Sequence, residues 1–318
     1  MKTGVLLFNL GGPEKLADVR PFLYKLFSDP EIIRVKFTPL RKTIAWTIAT
    51  LRHKKSEGYY RQIGGGSPLR RLTEEQAEAV ETELRQRGHD VETFVGMCTW
   101  HPFFSETLQN VEKSKIDRLV ILPLFPQFSV TTTGSGFAAL KELIERRPEI
   151  RRLDVRWVRS WQEHPTYIES FAALIENELA RFPEPAKTHL LFSAHSIPES
   201  YVKNGDPYLD QTKQSVERIM DRLQRRNSYQ LSFQSKIGPV KWLEPSTNDV
   251  IIDLGKRGIR DVLVIPISFV SEHIETLYEL DILYKHVAED AGVTNFRRVP
   301  ALNSEPVFIR ALAEIVES

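Results

Sequence analysis

Chemistry-bearing side chains cluster at two places in the chain. In FSAHSIPESYVKNGDPY, residues 192–208, His195 directly follows a short apolar run and precedes Pro198, which opposes an immediate helix. An imidazole so placed at a strand end reads either as a structural group held by backbone hydrogen bonds or as a base or metal ligand. In PISFVSEHIETLYELDILY, residues 266–284, a second apolar run leads into Ser271, Glu272, His273 and Glu275, which fall in the expected first turn of a helix. Glu275 and Glu279 are four residues apart and share a helix face. Acidic residues there either complement the helix dipole or form a proton path or cation site. Histidine with carboxylate and no thiolate suits a borderline divalent ion held incompletely, as for a metal in transit. No pattern for a closed structural zinc site accompanies the remaining histidines.

Gly64-Gly65-Gly66-Ser67-Pro68 is not a nucleotide loop, because the Lys-Ser/Thr that completes such a motif is missing. Its glycines read instead as places where backbone approaches a flat ligand, with Tyr60 and Ser67 alongside. The segment LPLFPQFSVTTTGS, residues 122–135, carries prolines and hydroxyls suited to finishing a strand end.

These residues need a scaffold. Short apolar runs at 5–8, 91–95, 119–122, 153–158, 190–192, 231–233 and 262–267 predict buried parallel strands. Helices are expected between them at 73–87, 137–146, 165–181, 210–225, 247–257 and 274–291, with a last helix at 305–316. Thr73 with Gln76 reads as a capping box, and Gly88 and Gly258 as helix stops. The halves also echo each other: LLFNLGGPE from Leu6 resembles LLFSAHSIPE from Leu190, and IDRLVILPLFPQFS from Ile116 resembles IRDVLVIPISFVS from Ile259. The pattern predicts an α/β protein of two similar, Rossmann-like domains with parallel four-stranded sheets flanked by helices. The expected division is 1–130 and 131–303, with the last helix, 304–318, crossing back onto the first domain. In such sheets ligands bind outside the carboxyl ends of the strands, where Asn9 to Gly12, 123–129, His195 and 268–273 all fall.

With 318 residues the chain suits two domains. Lys plus Arg, 43, nearly cancels Asp plus Glu, 42, so no basic excess suggests nucleic acid. One cysteine, Cys98, excludes an internal disulfide and a cluster needing several thiolates from this chain. Residues 31–55 place Ile44, Ile48 and Leu51 at helical spacing, with Arg41, Lys42, Arg52, Lys54 and Lys55 at the flanks. That stretch reads as a surface for anionic lipid, or as a plain surface helix or pocket lip. The expected setting is the cytoplasm with weak peripheral membrane contact, as monomer or homodimer.

Taken together, FNLGGPE, YRQIGGGSPL, LPLFPQFSVTTTGS, FSAHSIPE with GDPY, QSKIGPVKWLEP and PISFVSEHIETLYELD resemble the ferrochelatase family, in one order over nearly the whole chain. The resemblance implies two chelatase-like domains with a porphyrin in the cleft between them, and Fe²⁺ as substrate. It implies His195 and Glu275 at the metal, with His273 and Glu279 supporting them. It places Leu10, Tyr60, Ser67, Thr99, Ser235 and Trp242 on porphyrin-pocket positions. Departures are informative. Cys98-Thr99 replaces the expected basic and aromatic pair, Leu283 stands where a third carboxylate is often found, and no cysteine-bearing tail follows Ser318, so no iron–sulfur cluster is expected. Coproporphyrin-type members resemble Tyr-Gly-Thr-Pro at the first strand end; Asn9-Leu10-Gly11-Gly12-Pro13 here favours protoporphyrin. The rival readings are a coproporphyrin chelatase, a cobalt-accepting precorrin-type chelatase, and a two-domain binding protein without chemistry.

Overall fold

A computed structural model describes residues 2–30, 32–33, 35–236, 238 and 240–318. The chain divides into two units, Met1–Ser160 with Leu312–Ser318, and Trp161–Ala311. Each holds one parallel four-stranded sheet. In the first, β1 (Thr3–Asn9), β2 (Val91–Met97), β3 (Arg118–Pro123) and β4 (Asp154–Trp157) lie in the order β2-β1-β3-β4. In the second, β5 (His189–His195), β6 (Tyr229–Gln234), β7 (Asp261–Ile265) and β8 (Asn295–Arg298) lie in the order β6-β5-β7-β8. The two orders are the same, as the internal echo implies.

The expected boundary at 130 moves to Ser160, because β4 pairs with β3 in register Arg118↔Asp154 and completes the first sheet. The end of the C-terminal helix (Pro306–Glu317) belongs to that unit: Arg87 and His89 both bond Glu317, and Arg156 donates to the Ile315 carbonyl.

Central strands are apolar because helices cover both faces. Val5 to Phe8 and Leu119 to Leu122 have no exposed surface, nor do Leu190 to Phe192 and Val262 to Ile265. In the first unit Leu6, Phe8 and Ile121 pack with Leu108 and Leu140; in the second Leu191, Val262 and Val264 pack with Ile251, Leu254 and Leu280.

Three local expectations are corrected. Thr73 is not a cap: its helix starts at Leu69, one turn earlier, and the Thr73 hydroxyl donates back to the Leu69 carbonyl. Gly66 does not face open space for a ligand, since a Cβ there would lie 2.1 Å from the Glu14 carbonyl oxygen, so its own chain requires the glycine. The helix expected at 274–291 is a wide π-helix over Glu275–Leu283, then an α-helix over Tyr284–Asp290. A shorter π-helix, Val130–Gly134, follows β3, so both sheets carry this feature after their third strand in sequence.

Candidate active site

β5 ends on His195, and a closed ring of hydrogen bonds fixes the backbone there. The His195 N–H reaches Ser268 Oγ at 3.3 Å, Ser268 Oγ lies 2.6 Å from the Tyr208 hydroxyl, and that hydroxyl donates to the His195 carbonyl at 2.8 Å. Tyr208 and Ser268 are buried, so the ring does not compete with water. The imidazole is partly exposed; its Nδ1 lies 2.9 Å from Glu275 Oε2. An ionised carboxylate only accepts, so Nδ1 carries a proton and Nε2 is left to exchange one. His273 approaches the same carboxylate oxygen, with Nε2 3.8 Å from Glu275 Oε2 and its ring against Phe269 at 4.3 Å.

Burial opposes ionisation of both partners, but each offsets it for the other. Burial alone would push the His195 pKa down, yet Glu275 outweighs it and holds the ring above the usual histidine value. Burial would likewise raise Glu275, but the charge and hydrogen bond of His195 hold its carboxyl far below the usual range. Each partner therefore favours the charged form of the other.

Glu279 is held differently. Its Oε1 accepts from the Ser235 N–H at 3.0 Å and the Tyr284 hydroxyl at 2.9 Å. Its Oε2 accepts from Gln234 Nε2 at 3.2 Å and from the Ser235 hydroxyl. Two donors on each oxygen anchor this carboxylate at the end of β6, and Ser235 adopts φ +66° to present both of its donors. Burial, then the charge of Glu275, raise its pKa above the ordinary value in spite of those donors. Ser235 therefore spends its hydroxyl on Glu279. Trp242 follows in the same loop region, bridged to Pro198, with its indole N–H buried and unpaired among the described residues. Ile237 and Pro239 of that motif lie outside the described residues.

The other expected residues gather at the end of β1. Leu10 is partly exposed and its carbonyl accepts from the Thr99 N–H at 2.9 Å. Ser67 is partly exposed too; its N–H bonds the Pro13 carbonyl at 2.7 Å, and its side chain touches Gly12 so closely that a Cβ on Gly12 would lie 2.6 Å away. Thr99 and Tyr60 are buried, and the Tyr60 carbonyl accepts from the Gly65 N–H at 2.8 Å. Among the described residues no group of three or more His, Cys, Asp or Glu is arranged to hold a metal ion.

A profile of the ferrochelatase family matches residues 2–318. The chain belongs to the ferrochelatase family. It is 52% identical over 316 residues to a ferrochelatase of Gloeothece citriformis and 53% identical to one of a Synechocystis species, covering 99% of this chain and 82% of each relative. Ferrochelatases are lyases that insert a metal ion into a porphyrin, and that chemistry is the activity of this chain. Among solved structures, SirB of Bacillus subtilis with Fe3+ matches with a TM-score of 0.57 at 10% identity, covering 100% of this chain and 95% of the other. DR2241 of Deinococcus radiodurans matches with a TM-score of 0.52 at 13% identity, over 99% and 54% of the two chains. At such identity these two show the chelatase fold.

Within this ferrochelatase, sequence reading missed the residues that support the site: Tyr208, Ser268, Gln234, Tyr284 and Arg298. Tyr208 and Ser268 lie inside motifs that stand out by their position. Gln234 and Arg298 give no such signal, because a Gln ending a strand and an Arg in a mixed run are ordinary. Glu272 is reassigned: it precedes the helix, and accepts from Arg298 Nη1 at 2.8 Å and the Ala301 N–H at 2.9 Å, so it is an ion-pair partner and not a first-turn dipole partner.

Proposed function

We propose that the chain inserts Fe²⁺ into protoporphyrin IX, with His195 and Glu275 meeting the metal and the pyrrole protons, and that two protons leave as protohaem forms. The observation that carries this reading is the 2.9 Å His195–Glu275 pair at the carboxyl end of β5 in a ferrochelatase chain. A divalent cation binds neutral imidazole and carboxylate, so its arrival expels the ring proton. The ring nitrogen is occupied while the metal rests on it, and becomes free to take up one pyrrole proton as the metal passes to the porphyrin; the other pyrrole proton leaves to solvent. Ring distortion that bares the pyrrole nitrogens costs about 1–5 kcal/mol, drawn from binding the remote parts of the macrocycle. Trp242, beside Pro198, is a rigid wall suited to enforce it.

Glu279, held by four donors, is a fixed carboxyl group beside the pair; His273 steadies the Glu275 carboxylate. Leu10 and Ser67 are partly exposed and suit direct contact with the macrocycle, whereas Tyr60 and Thr99 support them from behind. Protoporphyrin carries vinyl groups where coproporphyrin carries two further propionates, so the apolar Leu10 favours the former. Its site is cytoplasmic, and it needs no resident cofactor or iron–sulfur cluster.

Anaerobic incubation with Fe²⁺ and each free-base porphyrin, followed by loss of porphyrin fluorescence, tests the reading. His195→Ala is expected to retain porphyrin binding and lose about a thousandfold or more in kcat; retention of most turnover would refute the assignment of the base. A kcat/KM higher for coproporphyrin than for protoporphyrin would replace the substrate. Binding of porphyrin with no insertion by the unaltered chain would leave only a tetrapyrrole-binding protein.

The same reading includes weak contact with an anionic membrane surface. Ile32, Phe37, Leu40, Trp46 and Leu51 are exposed large apolar residues within one stretch, and Lys42, Arg52, Lys54 and Lys55 are exposed around them. Glu31 and Arg34 lie outside the described residues. No described helix is long and apolar enough to cross a membrane.

A further inference from the structure

The segment that carries His273, Glu275 and Glu279 is tied at both ends to one side chain on the neighbouring edge strand. Arg298 ends β8, paired to Val264 of β7. Its Nη1 donates to Glu272 Oε1 at 2.8 Å, three residues before Glu275. Its Nε and Nη2 donate to Asp281 Oδ1 and Oδ2, each at 2.7 Å, two residues after Glu279. The guanidinium is only 9% exposed, and Glu272 13%. Glu272 is further held by the Ala301 N–H at 2.9 Å and the Thr276 hydroxyl, and its own N–H donates to Asn303 Oδ1 at 3.0 Å.

The segment held by these two anchors, Glu275–Leu283, is not a regular helix. It opens with an ordinary four-residue bond, Leu277 N–H to the His273 carbonyl at 2.9 Å, and ends with a five-residue bond, Tyr284 N–H to the Glu279 carbonyl. A π-helix is an uncommon conformation that surrounding structure must impose. Thr276, Leu280 and Tyr284 are buried on its inner side, while Glu275 and Glu279 reach His195 and Ser235. A buried ion pair adds little stability over apolar residues of similar volume, so its distinctive capacity is to hold geometry. A planar fork can grip Asp281 with two parallel bonds and still reach Glu272, which an ammonium cannot.

We propose that Arg298 is a positioning residue for metal insertion: by bridging Glu272 and Asp281 it holds residues 275–283 in the wide helix that sets Glu275 against His195 and Glu279 against Ser235. This rests on the His195–Glu275 reading above. It makes no contact with metal or porphyrin necessary.

The test uses Arg298→Lys and Asp281→Asn in the full chain. Asp281 is partly exposed, so Asp281→Asn keeps the Glu272 pair and the fold even if Arg298 variants express poorly. Arg225→Ala is the control, because it removes another forked pair, to Glu176, far along the chain from this segment. Arg298→Lys and Asp281→Asn are expected to lower kcat about tenfold with KM for Fe²⁺ and porphyrin within about twofold. Amide exchange across 275–284 should quicken by about tenfold or more while that of β5 stays unchanged. Arg225→Ala should keep kcat at any comparable loss of melting temperature. The proposal is overturned if both variants keep kcat and exchange within about twofold, or lose kcat only as much as the control does at equal melting loss. Turnover retained by His195→Ala would instead sink the pair assignment, and the exchange measurement would still report whether Arg298 holds the helix.

Discussion

At the residue scale, the contrast between Glu275 and Glu279 separates two uses of the same side chain. Glu275 shares one oxygen with His195 and His273, and can give up those contacts to a cation; Glu279 has two donors on each oxygen and would have to break four bonds. Glu275→Gln is therefore expected to cost about a hundredfold or more in kcat with porphyrin affinity retained, read from single-turnover kinetics and fluorescence quenching. Unchanged turnover would reduce Glu275 to a helix-start residue. Leu283 bears on the same line of carboxylates. This side chain does not pack in the core, since it is 42% exposed. Leu283→Glu should accordingly leave the melting temperature unchanged and alter turnover by less than about threefold, under about 0.7 kcal/mol. A large gain in rate would show that a third carboxylate is needed.

At the scale of elements, the helix Thr247–Lys256 and the helix Tyr284–Asp290 approach closely through a glycine. A Cβ on Gly255 would stand 2.2 Å from the Ala291 carbonyl oxygen, a backbone atom that cannot swing away. Gly255→Ala should destabilise the second unit by about 1–3 kcal/mol, the usual cost of overpacking, and a melt that matches the unaltered chain would contradict it. The helix Thr38–Gln62 presents a different balance. It docks on the helix Val19–Phe27 through the small residues Ala45 and Ala49, leaving Trp46 at 55% and Leu51 at 77% exposure. Trp46→Ser with Leu51→Ser should weaken binding to phosphatidylglycerol vesicles by about tenfold, since each buried apolar side chain contributes about 1.5–3 kcal/mol at most. Equal flotation of the unaltered and doubly substituted chains would remove the membrane from the proposal.

For the whole molecule, acid sensitivity follows from a histidine at the opposite end of the strand that carries His195. His189 opens β5, is buried, and has its Nδ1 2.8 Å from Ser228 Oγ. Burial, with Arg257 nearby, pushes its pKa down to about 4 from 6.5. The unfolded chain then takes up a proton below pH 6.5 while the folded chain resists until about 4, so this stability is present at neutral pH and is lost as pH falls through that window. The loss totals roughly 3 kcal/mol, with about 2 gone by pH 5. Urea midpoints of the unaltered chain and of His189→Gln, at about pH 7 and about pH 5, should converge on acidification; a parallel fall in both would assign the acid sensitivity to other groups.

What the sequence by itself determined is what depends on local pattern. Seven of the strands, the repeat of two parallel sheets and the placing of His195 and Glu275 after apolar runs were all legible, because a buried parallel strand must be apolar and its carboxyl end is where chemistry collects. β8 was not legible: Asn295 to Arg298 are all half-buried at a sheet edge, so no apolar run marks them. The π-helix was invisible because nine residues are too few for their period to be told from that of an α-helix, and the groups that hold it come from elsewhere in the chain, Arg298 on β8 and Ser235 just after β6. The boundary at Ser160 depended on β4 joining the first sheet. The four donors on Glu279 likewise include Gln234 and Ser235, some 44 residues away. Only tertiary contacts could decide these, because donor count, helix pitch and side-chain exposure belong to neighbours in space that sequence spacing does not encode.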